Sequence, residues 1–177
     1  MQNTHLFYRK IKTPLGVMIA YADATHLRAF VFAGEKKGLD FGQSLTAGPT
    51  VFETSPKHKV LNQLEVQLQE YFQGRRKKFA LRLRPMGTEF QMRVWKALQR
   101  VPYGQTWSYF DQAQKIGNPG AVRAVGSANG RNPLPILVPC HRIVRSDGQL
   151  GGYSAGLDIK AQLLRLESKF ARTSVKS

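Results

Sequence analysis

The chain has 177 residues and is 42% hydrophobic, which suits one globular domain or two small ones. Its 27 Lys and Arg against 11 Asp and Glu give a formal net charge of +16, an excess that folding does not need and that points to a polyanionic partner, nucleic acid first. A single Cys excludes an internal disulfide framework, no apolar run is long enough to span a bilayer, and the first ten residues hold no apolar signal core, so the expectation is a soluble cytoplasmic protein with no membrane partner.

Residues 6–12, 17–21 and 27–32 read as three short strands. Thr13-Pro14-Leu15-Gly16 and Ala22-Asp23-Ala24-Thr25 are the turns between them. Residues 33–54 carry charge and Gly without a period and read mostly as loop. Ser55 and Pro56 then suit the start of a helix whose apolar face is Leu61, Leu64, Leu68 and Phe72, ended by Gly74. The run Arg75-Arg76-Lys77-Lys78 reads as a solvated loop, residues 79–83 as a strand, and Pro85-Met86-Gly87 as a boundary between domains 1–86 and 87–177.

The second part opens on Thr88-Glu89-Phe90-Gln91, a capping-box pattern, followed by an apolar face of Phe90, Val94, Ala97 and Leu98. Val101-Pro102-Tyr103-Gly104 ends that helix. Ser108 with Asp111 caps the next, Gly117 closes it, and Asn118-Pro119 starts another, which together make a helix-turn-helix pattern. In the second helix of the pair Ala121, Ala124, Val125 and Ala128 form the inward stripe. Arg123 lies roughly opposite, near Gly126, Ser127 and Gly130, so one long cation projects from a nearly bare face that permits close approach to another backbone. Asn132-Pro133-Leu134-Pro135 reads as a stiff extended link and Ile136-Leu137-Val138 as a buried, strand-like run.

That run leads into Pro139-Cys140-His141-Arg142. A thiolate is a strong nucleophile, and a neighbouring imidazole is the usual group for generating it near neutral pH. Pro139 fixes the backbone before the thiol. A Gly-rich loop follows, and then a helix from about Asp158 with Ile159, Leu163, Leu166 and Phe170 on one face. Glu167 sits at the edge of that face, where an acid needs a partner. His141 would give a Cys-His-Glu relay, and one of the many arginines would give an ordinary salt bridge.

Taken together, Pro139-Cys140-His141-Arg142, the preceding Arg123-Ala124-Val125-Gly126 and Asn132-Pro133, and the following Gly152-Tyr153-Ser154-Ala155-Gly156-Leu157 and Leu163-Leu164-Arg165-Leu166-Glu167 closely resemble the O6-alkylguanine-DNA alkyltransferases, also called methylated-DNA–protein-cysteine methyltransferases. The resemblance is dense over residues 88–167 and loose before them. It implies an α+β fold with an N-terminal antiparallel β-sheet and helix of the ribonuclease-H-like kind, and a C-terminal winged-helix-like domain containing the helix-turn-helix. It implies DNA repair by direct reversal: irreversible, single-turnover transfer of an alkyl group from O6 of guanine, and also O4 of thymine, in duplex DNA to the protein's own cysteine.

Carried over by position, Cys140 is the acceptor, His141 a base acting through water, and Glu167 its orienting anion. Asn132 belongs to the turn that positions the Cys segment, and Tyr109 protonates the departing guanine. Arg123 fills the space of the flipped nucleotide on a DNA-binding face with Ala124, Gly126, Ser127 and Gly130. Tyr153, Ser154, Ala155 and Gly156 belong to the loop lining the base pocket. No cofactor is implied, and the protein is expected to act as a monomer. Some relatives hold a structural zinc through Cys and His in the N-terminal part. That part has His5, His26 and His58 but no Cys, so no zinc is expected. Phe110 is bulkier than the family pattern suggests. The competing readings are a lesion-binding alkyltransferase-like protein, a helix-turn-helix regulator without transfer activity, and a cysteine hydrolase. An intact acceptor motif, the Cys-His-Glu set and the basic charge argue against them in turn.

Overall fold

The computed structural model describes residues 4–34 and 50–173, with side chains as far as residue 171. The chain divides into two compact units, Met1–Met86 and Gly87–Ser177.

In the first unit, β1 (Thr4–Thr13), β2 (Gly16–Ala22) and β3 (Leu27–Phe32) form an antiparallel meander. Its turns are built by side chains that satisfy local backbone groups. Thr13 Oγ1 donates to Gly16 O at 2.8 Å, and Asp23 Oδ1 accepts from the amides of Thr25 and His26 at 2.9 and 2.8 Å. A fourth strand, β4 (Thr50–Glu53), pairs with β1 in parallel and completes the order β3-β2-β1-β4. This strand lies inside the segment expected to be loop. The rest of that expectation, 35–49, lies outside the described residues. Thr50-Val51-Phe52-Glu53 is too short to show a period of two.

Helix α1 (Lys59–Phe72) packs on β1 and β2. Its cap is His58, whose Nδ1 accepts from the amide of Leu61 at 3.4 Å, and not Ser55. The buried face is Val60, Leu61, Leu64, Gln67, Leu68 and Tyr71. Tyr71 displaces the expected Phe72 because seven residues after Leu64 returns nearly to the same side at 100° per residue, and eight does not. The expected strand over 79–83 is a single bridge, Leu83 to Leu27, with Leu27 donating to Arg82 O at 2.8 Å and Arg84 to Leu27 O at 2.9 Å. The buried amide of Gln67 explains the shortfall. It accepts from Ala80 N at 2.7 Å and donates to Ala80 O at 3.2 Å, so a side chain takes the place of a ladder partner.

The second unit begins with α2 (Glu89–Leu98), closed at its start by the Thr88/Gln91 capping box. Trp95 joins its buried face and donates from Nε1 to Ala128 O at 2.9 Å. β5 (Trp107–Ser108) leads into α3 (Tyr109–Lys115), where Ser108 and Asp111 form the second capping box. Gly117, at φ 73°, turns the chain. Asn118 makes no side-chain cap, and a 3-10 turn at Pro119–Ala121 precedes α4 (Val122–Gly130). Gln112 of α3 and Asn129 of α4 exchange two amide hydrogen bonds of 3.2 and 2.7 Å in the interior, and Gln112 also donates to Val94 O of α2. Three helices are thus tied at one buried polar point.

Residues 132–140 are all buried but are neither an extended link nor a strand. They run through consecutive turns with Ile136 at φ 75°. The Asn132 side chain organises them, as described below. A 3-10 turn at Cys140–Arg142 leads into β6 (Ile143–Val144), parallel to β5, and α5 (Leu157–Thr173) completes the unit. No helix among the described residues is long and apolar enough to cross a membrane.

Candidate active site and nucleic-acid interface

Cys140 is buried on the turn after Pro139. Asn132 builds this turn. Its Nδ2 donates to Val138 O at 2.7 Å and to Cys140 Sγ at 3.2 Å, while its Oδ1 accepts from Leu134 N at 3.0 Å. One buried amide therefore spans the segment and touches the sulfur. Burial pushes the Cys140 thiol up, and the Asn132 contact, the charge of Lys160 and backbone amides oppose it.

The two residues after Cys140 enter a buried ionic cluster. His141 Nε2 is 2.8 Å from Glu167 Oε1. Arg142 clamps the same carboxylate with Nε to Oε2 at 2.8 Å and Nη2 to Oε1 at 2.9 Å, and donates from Nη1 to Val101 O at 2.7 Å. Gly104 N also donates to Glu167 Oε2, at 3.1 Å. Gly104 holds φ 74°, and an added Cβ would stand 2.5 Å from Ala171 Cβ, so only glycine brings this amide to the carboxylate. Burial alone would raise Glu167, but the hydrogen bonds from His141 and Arg142 and the Arg142 charge outweigh it and hold the carboxyl well below the usual range. Burial lowers His141 further than Glu167 raises it, which favours the uncharged ring that can take up a proton. An ionised Glu167 fixes the tautomer with the proton on Nε2. Nδ1 is then an acceptor, buried and without a hydrogen-bond partner among the described residues.

Cys140 forms part of the wall of a cleft of about 940 Å³. Tyr109, at the start of α3, lines it and donates from its hydroxyl to Gly152 O at 3.3 Å. Burial and the nearby Cys140 raise the Tyr109 hydroxyl, which keeps its proton at neutral pH. Gly151 makes room for this ring: at φ 66° an added Cβ would lie 2.8 Å from Tyr109 Cε2. Tyr153, Ser154 and Gly156 line the cleft, as do Gly126 and Gly130 of α4. Ala155 is half-buried beside the lining, not in it. Arg123, Ala124 and Ser127 are exposed on α4 and do not line the cleft. Ala124 thus leaves the expected inward stripe, and Asn129 takes the buried place with Val125 and Ala128.

Two residues of the site escaped the sequence reading. Arg142 lies in the motif but had no role there. Lys160 is fully buried on α5, where the apolar pattern leads toward Ile159 and Leu163. Its ammonium donates to Ile143 O at 2.5 Å, to Leu150 O, and to Gly152 O at 3.2 Å, and lies 5.8 Å from the Tyr109 ring centre. Burial lowers it to about 8, against the pull of Cys140. A Lys following Ile159 in an apolar stripe reads as a helix edge, and its three carbonyl partners come from residues 8 to 17 positions away. Among the described residues no group of three or more His, Cys, Asp and Glu could hold a metal ion.

The chain is similar to known proteins over nearly its whole length. Residues 6–85 match the model of the 6-O-methylguanine DNA methyltransferase ribonuclease-like domain, and residues 89–169 match that of the 6-O-methylguanine DNA methyltransferase DNA-binding domain. The chain is 41% identical to the methylated-DNA–protein-cysteine methyltransferase of Methanosarcina acetivorans, over 92% of this chain and 98% of the relative. It is 43% identical to the constitutive enzyme of that name from Bacillus subtilis, over 91% and 94%. The structure of Mycobacterium tuberculosis OGT in complex with DNA superposes with a TM-score of 0.81 at 38% identity, covering 93% of this chain and 94% of that one. With both halves matched in order, the chain belongs to the methylated-DNA–protein-cysteine methyltransferase family.

Proposed function

We propose that this protein repairs alkylated duplex DNA by moving the alkyl group from O6 of guanine to Cys140, once per molecule. The observation that carries the reading is the buried Cys140 at the wall of an open cleft, backed by the His141–Glu167 pair. The target atom of a stacked base is out of reach, so the nucleotide must leave the duplex to enter the cleft. The Cys140 thiol gives its proton to Nδ1 of His141 through water, and Glu167 holds the resulting imidazolium. The sulfur attacks the alkyl carbon in line. A carbon–sulfur bond forms as the carbon–oxygen bond breaks, and the electron pair goes to the base. Tyr109 supplies the proton that neutralises the departing guanine. Asn132 fixes the sulfur's direction.

Arg123 fills the gap in the stack, with Ala124, Gly126, Ser127 and Gly130 forming the close-approach face. Tyr153, Ser154, Ala155 and Gly156 shape the base pocket. The same chemistry suits O4 of thymine, whose exocyclic oxygen carries an equivalent alkyl group. The reaction residues fall in 87–177, which we propose as the catalytic domain, with 1–86 as a separate domain. A thiol that must stay reduced fits a reducing cytoplasm. Incubation with a duplex carrying one O6-methylguanine tests the assignment. The peptide containing Cys140 gains one CH₂, and Cys140→Ser binds the duplex without gaining it. Repair with Cys140 unmodified would overturn it.

A further inference from the structure

Two of the segments that line the cleft carry an exposed arginine. One is α4, where Arg123, Gly126 or Ser127, and Gly130 follow one another at three- and four-residue spacing and so share a face. Gly126 and Gly130 line the cleft, and Arg123 is exposed on that face. The other carries Arg145, the residue after β6. Its side chain lines the cleft that holds Cys140 and is 57% exposed.

The loop carrying Arg145 is closed by its own hydrogen bonds. Arg145 N donates to Gln149 O at 2.8 Å, Gly148 N to Arg145 O at 2.9 Å, and Asp147 Oδ1 accepts from Gln149 N at 3.0 Å. Gly148 takes the positive φ, 82°, that this tight turn requires. The turn also brings Asp147 Oδ2 within 3.3 Å of Arg145 Nη2. That contact is a single, exposed ion pair between neighbours on one loop, a type that contributes little to stability. The site chemistry described above does not use it.

We propose that Arg145 binds a backbone phosphate beside the everted nucleotide, and that Asp147 occupies its guanidinium until DNA arrives. An everted nucleotide stays tethered by its two flanking phosphates, which come to the mouth of the pocket that takes the base. A guanidinium presents a planar fork that matches phosphate oxygens, and exchanging a half-solvated carboxylate for a phosphate costs little. Arg145 is therefore a positioning residue for duplex substrate. Asp147 sets how much of its charge is available, which tunes how tightly the protein holds the strand at the pocket mouth. This inference rests on the alkyl-transfer reading.

The test compares Arg145→Ala, Asp147→Asn and the double variant with the parent protein. Transfer is measured from a methylated duplex and from the free alkylated base, and duplex affinity is measured across a salt series. Lys77→Ala, an exposed change of the same charge in the first unit, is the control. Wild-type transfer from free base to Cys140 checks the underlying reaction, so its failure is distinct from failure of this proposal. Arg145→Ala is expected to slow duplex transfer about tenfold, lower the slope of log affinity against log salt by about 0.9, and leave the free-base rate intact. Asp147→Asn is expected to tighten duplex binding, and to lose that effect when Arg145 is absent. The proposal is overturned if Lys77→Ala and Arg145→Ala lower duplex transfer equally, or if Asp147→Asn acts the same with and without Arg145. It is also overturned if Arg145→Ala slows free-base transfer as much as duplex transfer.

Discussion

Glu167 carries three duties at once: it orients His141, neutralises Arg142 and accepts from Gly104. Glu167→Gln removes the charge and leaves the Arg142 cation buried, which is expected to cost about 3 kcal/mol and to lower the melting temperature. Its folded carboxyl lies below the unfolded value near ~4.3. The stability it contributes is therefore fully present above that value and is lost as pH falls below it. Acid melts should show the wild type losing stability below about pH 4 more steeply than the Gln variant, and parallel curves would contradict the assignment. Lys160 makes a second prediction. Its ammonium opposes the burial of the Cys140 thiol. Lys160→Met should therefore move the pH profile of Cys140 alkylation by iodoacetamide upward, and Lys160→Arg should largely restore it. An unmoved profile in the Met variant would show that this charge does not reach the sulfur. Glu167 could be suspected from sequence, because an acid at the edge of an apolar stripe needs a partner. The choice between His141 and an arginine could not, and the structure uses both.

At the scale of elements, the two helices that open on a capping box were legible because the signal is local, whereas the His58 cap of α1 was not. Thr88 with Gln91 and Ser108 with Asp111 each start the helix they announce. Elements set by distant partners were not. The 79–83 strand is replaced by the Gln67 amide, and the 132–140 segment is folded by Asn132 from one end and the site from the other. The tie between α3 and α4 is of the same kind. Gln112→Leu leaves Asn129 and Val94 O without their partner in the interior and should cost about 1–3 kcal/mol, with slower repair because α4 no longer holds its angle to Tyr109. Chemical denaturation and duplex transfer measure the two effects, and a variant as stable as the parent would mean the pair is not a structural tie. Arg123, exposed on α4, belongs to this scale. Arg123→Ala should slow transfer from duplex DNA far more than from the free base, and equal slowing of both would remove its role in the stack.

Over the whole molecule, the charge points to a nucleic-acid partner, and the order of the motifs carries the family resemblance that implies the reaction. Both are sums over many residues, and a misread strand does not disturb them. The parallel pairing of β4 was hidden because it depends on where a distant segment lands. The molecule as a whole is a consumable. The bond formed at Cys140 is an alkyl thioether, whose sulfur is a poor leaving group. Thiol exchange acts on sulfur–sulfur bonds, so it cannot free the residue, and the chain has no second cysteine. Titration with excess O6-methylguanine duplex is the most direct test. Product should rise in proportion to added protein and stop at one methyl per chain, with the Cys140 peptide heavier by one CH₂. Product in excess of the protein, with Cys140 recovered unmodified, would contradict the account.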